Sequence, residues 1–204
     1  MTQRMTELAD EIIRLQSELD REIESRRKAL GWKLKETIGQ FEEGVALEHR
    51  RLRLGLVKFF GRSSPGAILT APVIYSLIVP LALIDLWVSA YQQICFRAYG
   101  IPRVKRSDYI ALDRGRLSYL NLIEGLNCSF CAYANGLIAY VREVSSSTEQ
   151  YWCPIKHAVR VSDPHRRYYE FLEYGDAEGY RQRLNEFRER LRAEPPPAGS
   201  GLRG

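Results

Sequence analysis

Residues 67–98 read AILTAPVIYSLIVPLALIDLWVSAYQQICFRA. From Ala67 to Ile84 there are 18 residues without a charge, then Asp85, then 11 more uncharged residues to Phe96. A run of that length between basic flanks reads as a membrane segment. Laid out as one straight helix, these 32 residues would reach about 48 Å at 1.5 Å per residue, well beyond a hydrocarbon core of about 30 Å. Pro72 and Pro80 each remove a helical N–H and disfavour the preceding turn. The segment is therefore expected either to fold back as a re-entrant hairpin with both ends in the cytoplasm or to cross once as a kinked span. Asp85 lies beside Trp87 and Tyr91, aromatics that favour the interface, and reads as a snorkelled or capping carboxylate rather than a functional acid. Cys95 reads as a small buried hydrophobe, with acylation as the alternative.

The flanks do not settle orientation. Arg50, Arg51, Arg53, Lys58 and Arg62 precede the segment, and Arg97, Arg103, Lys105, Arg106, Arg114 and Arg116 follow it. In HRRLRLGLVKFFGR, residues 49–62, basic residues alternate with Leu, Val and Phe. That mixture suits a lipid surface, where the cations meet phosphates and the apolar side chains enter the acyl boundary. Arg50, Arg51, Arg53, Lys58, Arg62, Arg103, Lys105 and Arg106 are thus the candidate membrane-surface residues. Membrane lipid is the expected partner, and nothing in the pattern forms a nucleic-acid module.

Residues 1–62 form the first region. Apolar residues recur at Leu8, Ile12, Leu15, Leu19 and Ile23 and again at Leu30, Leu34, Ile38, Phe41 and Val45, the three-to-four spacing of an amphipathic helix. Thirteen Lys and Arg stand against 11 Asp and Glu over the same 62 residues, a solvated mixed surface. Gly31, Gly39 and Gly44 predict a kink or break. The helix suits a coiled coil, with self-association or a protein partner through residues 1–48; it equally suits packing on its own chain or along a membrane. Charges occupy the place where a signal peptide would carry its apolar core.

Residues 101–192 carry the chemistry. A short strand is expected around Tyr109–Leu112, a helix from about Ala132 to Val144, a polar loop at SSSTEQ, and a long polar helix from about Asp176 to Arg192, followed by a Pro- and Gly-rich tail at 193–204 read as disordered. Within this region Cys128, Cys131, Cys153 and His157 are spaced C-x2-C-x21-C-x3-H. Two thiolates two residues apart converge on one ion, and three sulfurs with one imidazole complete a tetrahedral zinc shell. A closed shell of this kind is structural, and its binding energy is folding energy. The same residues also admit an iron or iron–sulfur centre, a thiol redox pair at Cys128 and Cys131, or four unconnected core residues. Covalent haem would need His after Cys131, where Ala132 stands. His165 is a more distant candidate ligand. Arg160, Arg166, Arg167, Tyr168 and Tyr169 suit either phosphate contact or a solvated edge packed by tyrosines. No phosphate loop, nucleotide fingerprint, zinc-protease motif or nucleophile elbow is present, and no small-molecule substrate is identifiable.

The phrases IPRVKRSDYIALDR, LNCSFCAYANGLIAYVREV, YWCPIKHA and YEFLEYGDAEGY together resemble a family of bacterial membrane-associated proteins of unassigned function, over roughly residues 75–180. The resemblance implies a bacterial setting and carries over no catalytic residue.

With 204 residues, a net charge of +5 and 27% charged residues, the chain is neither a polytopic membrane protein nor disordered as a whole. The expected protein is mainly α. It has an amphipathic region at 1–62 with a basic juxtamembrane end, a membrane segment at 63–100, a small α domain with one short strand and a metal site at 101–192, and the tail. Its expected role is a non-catalytic adaptor or assembly protein at the inner membrane with both soluble regions cytoplasmic; the alternative is a membrane-tethered thiol or iron redox protein.

Overall fold

In the computed structural model, the described residues are 51–194 apart from Leu54, together with a scatter of residues between Arg4 and Arg26. The chain divides into two compact units, Met1–Arg53 and Leu54–Gly204.

In the first unit the described residues between Arg4 and Arg26 are helical, and Leu8, Ile12, Leu15, Leu19 and Ile23 are exposed. Arg26 and Glu22 pair one turn apart at 2.9 Å, a contact that supports such a helix by only a few tenths of a kcal/mol. The expected continuation from Leu30 to Val45, the glycine breaks, Arg50 and the tail beyond Glu194 lie outside the described residues.

Among the described residues the second unit has four α-helical segments, α1 (Leu56–Arg62), α2 (Pro65–Tyr99), α3 (Leu122–Trp152) and α4 (Ala177–Ala193). Ser64 caps α2, its hydroxyl accepting from the Ala67 N–H at 3.2 Å, and Pro65 takes the first position, where a missing N–H costs nothing. α2 is one helix bent by 25°, not a hairpin. Each proline removes a single rung, and the turns on either side carry the helix across. Thr70 and Ser76 hydroxyls bond back to carbonyls in their own turns. An irregular turn at Leu77 and a π-turn at Gln92–Phe96 take up the remaining misfit. Gly100, at φ 67°, then ends α2 in a left-handed conformation and lets the chain reverse.

That reversal sets the topology. Residues 101–121 run back alongside α2, so α3 starts beside the first part of α2 and the two helices run parallel. The contacts climb in step: Tyr75 meets Asn127 and Phe130, Asp85 meets Tyr133, Gln92 meets Tyr140, Tyr91 meets Thr148, and Tyr99 stacks on Tyr151. The predicted strand at Tyr109–Leu112 belongs to this return segment and is turn and loop without a ladder. Among the described residues the only β pairing is the isolated bridge between Ile155 and Leu172. The loop instead lies on α3 at Gly136, where a β-carbon would sit 2.5 Å from the Tyr109 carbonyl oxygen and 3.0 Å from the Ile110 Cα. A helix paired this closely with backbone needs glycine at the contact.

α3 begins with a reciprocal cap. Asn121 accepts from the Ile123 and Glu124 N–H groups at 3.0 Å, while the Glu124 carboxylate accepts from the Asn121 N–H at 2.9 Å. From there it continues through the predicted loop, because SSSTEQ turns inward: Ser146, Ser147 and Gln150 are buried, and Gln150 donates to the Phe187 carbonyl on α4 at 3.1 Å. α4 appears where periodicity places it, capped by Asp176 and packed antiparallel on the end of α3. The main core joins Phe96, Ile101, Val104, Leu137, Tyr140, Val144 and Leu191, and a smaller one joins Phe171, Leu172 and Phe187. Fully burying each large apolar side chain contributes roughly 1.5–3 kcal/mol.

The glycine contact gives a direct test. Gly136→Ala is expected to destabilise the folded chain by about 1–3 kcal/mol through forced backbone displacement, despite alanine's better helix propensity. Denaturant unfolding of detergent-purified protein measures it, and a stabilised variant would rule out the close packing of residues 109–110 on α3.

Candidate functional site

Two polar junctions tie α2, the return segment and α3 together. In the first, Asp85 on α2 receives the Arg106 guanidinium in two-pronged fashion, Nε at 2.9 Å from Oδ1 and Nη2 at 2.6 Å from Oδ2. The Tyr133 hydroxyl donates to Oδ2 at 2.9 Å, and the Arg106 guanidinium lies 6.0 Å from the Tyr133 ring centre. Ser89, one turn further on, approaches Oδ1 at 3.5 Å. Asp85 is thus neither snorkelled nor a cap. It is the acceptor of a fork-shaped pair, the geometry in which a carboxylate and arginine interact most strongly.

In the second junction the buried Gln92 side chain behaves like a short piece of strand. Its carbonyl accepts from the Val104 N–H at 3.0 Å and its amide donates to the Val104 carbonyl at 3.0 Å. The same amide reaches the Tyr140 hydroxyl at 2.6 Å. A backbone N–H and C=O that an isolated loop would leave unpaired inside the protein are both satisfied by one side chain. Sequence reading passed over Gln92 and gave Tyr133 and Tyr140 no polar role, only that of aromatic packing. Two signals were available: the Asn121-x-x-Glu124 box that starts α3 early, and the small-residue stripe of Gly125, Ala132 and Gly136 that invites a close neighbour.

The four proposed metal ligands are not brought together. Cys128 and Cys131 lie one turn apart near the start of α3, half-buried and exposed respectively. Cys153 caps the far end of the same helix, 22 positions later, which is about 33 Å along a continuous helix. His157 lies beyond it, its ring stacked on Tyr168 with centroids 6.0 Å apart. The expectation of one tetrahedral shell from all four therefore needs correction. It required a polar loop between the two pairs, and the buried Ser146, Ser147 and Gln150 make that stretch helix instead. Among the described residues no three His, Cys, Asp or Glu side chains are grouped to hold an ion.

His165 pairs with Glu149 at 2.9 Å, and its ring packs against Phe171 and Tyr168. Arg167, only 10% exposed, turns inward to Glu143 and Glu194, and Arg166 pairs with the same two carboxylates from the surface. Of the two readings of this basic aromatic cluster, the structure matches an edge packed by tyrosines, with the charges of Arg166 and Arg167 matched by carboxylates. Burial, with the Glu149 carboxylate as a lesser cause, pushes the Cys153 thiol above its ordinary value. That is the opposite of an activated nucleophile.

The expected membrane-surface residues divide similarly. Arg53 is exposed, Lys58 is exposed on α1, and Arg103 and Lys105 are exposed on the return segment. Arg103 reaches the Gln93 side chain, whereas the Arg106 charge is committed to Asp85. The helix they flank, Pro65–Tyr99, is long and apolar enough to cross a membrane, and none of its most apolar window is buried in the protein. Compared with protein family models, with curated proteins and with solved structures, the chain has no significant match.

The first junction predicts an asymmetry. In the pair, Asp85 is 14% exposed and Arg106 47%, so removing the arginine strands a mostly buried carboxylate while removing the carboxylate leaves a cation that still reaches water. Arg106→Ala should cost about 1–3 kcal/mol and Asp85→Asn clearly less, read from denaturant midpoints in detergent. Equal costs would mean that the pair is loose. The raised Cys153 thiol predicts slower alkylation at neutral pH in the folded chain than in the denaturant-unfolded one, with Cys95, Cys128 and Cys131 changed to Ser, and a gap that narrows as pH rises. Faster reaction in the folded state would instead mark Cys153 as an activated thiol.

Proposed function

We propose that this chain is a membrane-anchored, non-catalytic adaptor or assembly protein of a bacterial inner membrane, with both soluble regions on the cytoplasmic side. The observation that carries the reading is the contrast between the two sides of α2. One side is locked to α3 and the return segment by the Asp85 and Gln92 junctions. The other presents Leu69, Val73, Leu77, Val79, Leu83, Leu86 and Trp87, all exposed. Such a continuous apolar face is the kind of surface that lipid covers.

The charged neighbours limit how deep α2 goes. From Tyr75 onward it is accompanied by α3 and the return segment, which bring Asp113, Arg114 and Glu124 close to the start of α3. At most Pro65–Tyr75 extends past them, no more than roughly 16 Å of helix, or about half of a hydrocarbon core. Ionised side chains at the bilayer centre are costly, so the proposed arrangement has α2 entering one leaflet obliquely with its partners on the cytoplasmic side. Basic residues at each end, Lys58 before the helix and Arg103 and Lys105 after it, then meet phosphates. The exposed apolar stripe from Leu8 to Ile23 supports self-association or a protein partner through residues 1–48.

A second reading, a thiol redox or metal role for Cys128 and Cys131, is favoured by their placement one turn apart with Cys131 exposed. It would draw on a second copy or another protein for further ligands.

The test is labelling by a membrane-impermeant maleimide in cysteine-free protein carrying either Leu8→Cys or the restored Cys131. Inverted inner-membrane vesicles should label both, and right-side-out spheroplasts neither. Labelling of the two positions from opposite faces would replace the one-leaflet arrangement with a single span, and release of the protein by alkaline carbonate would remove the anchor altogether. Zinc analysis on the same preparation separates the second reading: metal lost in Cys128→Ser but kept in Cys153→Ser favours the pair.

A further inference from the structure

Beside the Gln92 junction lies a cleft of about 650 Å³ whose walls include Ser89, Gln93, Arg103, Lys105, Arg106 and Ser107. Three of these are cationic, three offer neutral hydrogen-bonding groups, and no carboxylate lines the space. Asp85 neutralises Arg106, which leaves Arg103 and Lys105, both exposed, as the uncompensated charges at its rim. The floor is rigid: Gln92, Val104 and Tyr140 are buried and bonded to one another. A concave site with excess positive charge, neutral donors around it and a preorganised floor is built to receive an anion, and a guanidinium beside an ammonium matches phosphate oxygens.

Its height on α2 says where such a phosphate comes from. Trp87, 78% exposed, is the last large apolar residue of the lipid-facing side before the π-turn, and indole rings settle at the membrane–water interface. Gln93 follows six positions later, about 9 Å along the axis of the obliquely lying helix and so less than that in depth, within reach of the headgroups. We propose that this cleft is a binding site for a phosphate ester, held by Arg103 and Lys105 with the Ser107 and Gln93 side chains as neutral partners. The ester belongs either to an anionic lipid headgroup or to a free small phosphate; only the lipid source rests on the membrane reading above.

Full-length protein in detergent, titrated with glycerol 3-phosphate by calorimetry, tests the free source. Co-sedimentation with phosphatidylcholine vesicles, with and without phosphatidic acid, tests the lipid source. The double variant Arg103→Ala/Lys105→Ala is compared with Arg160→Ala/Arg181→Ala, which removes the same charge elsewhere, after both are shown to unfold at the wild-type midpoint. The cleft variant is expected to weaken whichever source binds by at least about tenfold, with the control near wild type. Loss confined to phosphatidic acid assigns the site to lipid, and loss of glycerol 3-phosphate binding assigns it to a soluble ester. Equal loss in both variants, or no binding of either probe by the wild type, overturns the proposal. Retention on pure phosphatidylcholine reads the apolar anchor separately, so the anchor and the cleft fail independently.

Discussion

A chain that leaves α2 and must enter a parallel α3 has to travel back along the length of both, and its backbone polar groups have to be satisfied on the way. The Gln92 side chain does this at the most buried point, pairing with both the N–H and the carbonyl of Val104. Asp85, about two turns earlier, anchors the segment with charge instead, drawing Arg106 onto α2. Tyr140 and Tyr133 bring α3 to the same two points. Besides these junctions the return segment is held by side-chain burial at Ile101 and Val104 and by its close approach to Gly136, since it forms no strand and only single-turn 3₁₀ pieces at Arg106–Asp108 and Arg114–Arg116.

The same arrangement explains the shape of the apolar helix. A helix wholly surrounded by lipid has no reason to carry Asp85, Ser89 and Gln92 along one line. Here they recur at three- and four-residue steps on the side that faces α3, while leucines and Trp87 occupy the other. α2 is therefore amphipathic in an unusual sense, with a polar seam toward protein and an apolar face away from it. Pro72 and Pro80 bend it without breaking it because the chain stays helical on both sides of the irregular turn at Leu77 that lies between them.

α3 decides the fate of the thiols. Its inward stripe changes character along its length, from Gly125, Ala132 and Gly136 where backbone comes close, through Leu137, Tyr140 and Val144 in the main core, to Ser147 and Gln150 where α4 meets it. Small and polar residues in the last section resemble a loop by composition. They are helical because tertiary neighbours bury them and because the hydroxyls of Ser146 and Thr148 bond back to the carbonyls of Glu143 and Val144. Once that stretch is helical, the two halves of the cysteine pattern are held at opposite ends of one rod.

Much was legible from the residues alone. The apolar run and its flanks, the helical character of the described residues between Arg4 and Arg26, the α4 helix and the mainly helical class all follow from periodicity and charge, which are local properties. What the one-dimensional pattern left open was every question of who faces whom. Whether two prolines make a hairpin or a 25° bend depends on the packing that holds the turns between them. Whether Asp85 is exposed or paired depends on an arginine 21 residues away. Whether C-x2-C and C-x3-H share an ion depends on whether the chain between them folds back, and burial of a few serines makes it run straight. Sequence spacing measures distance along the chain, and tertiary structure alone converts it into distance in space.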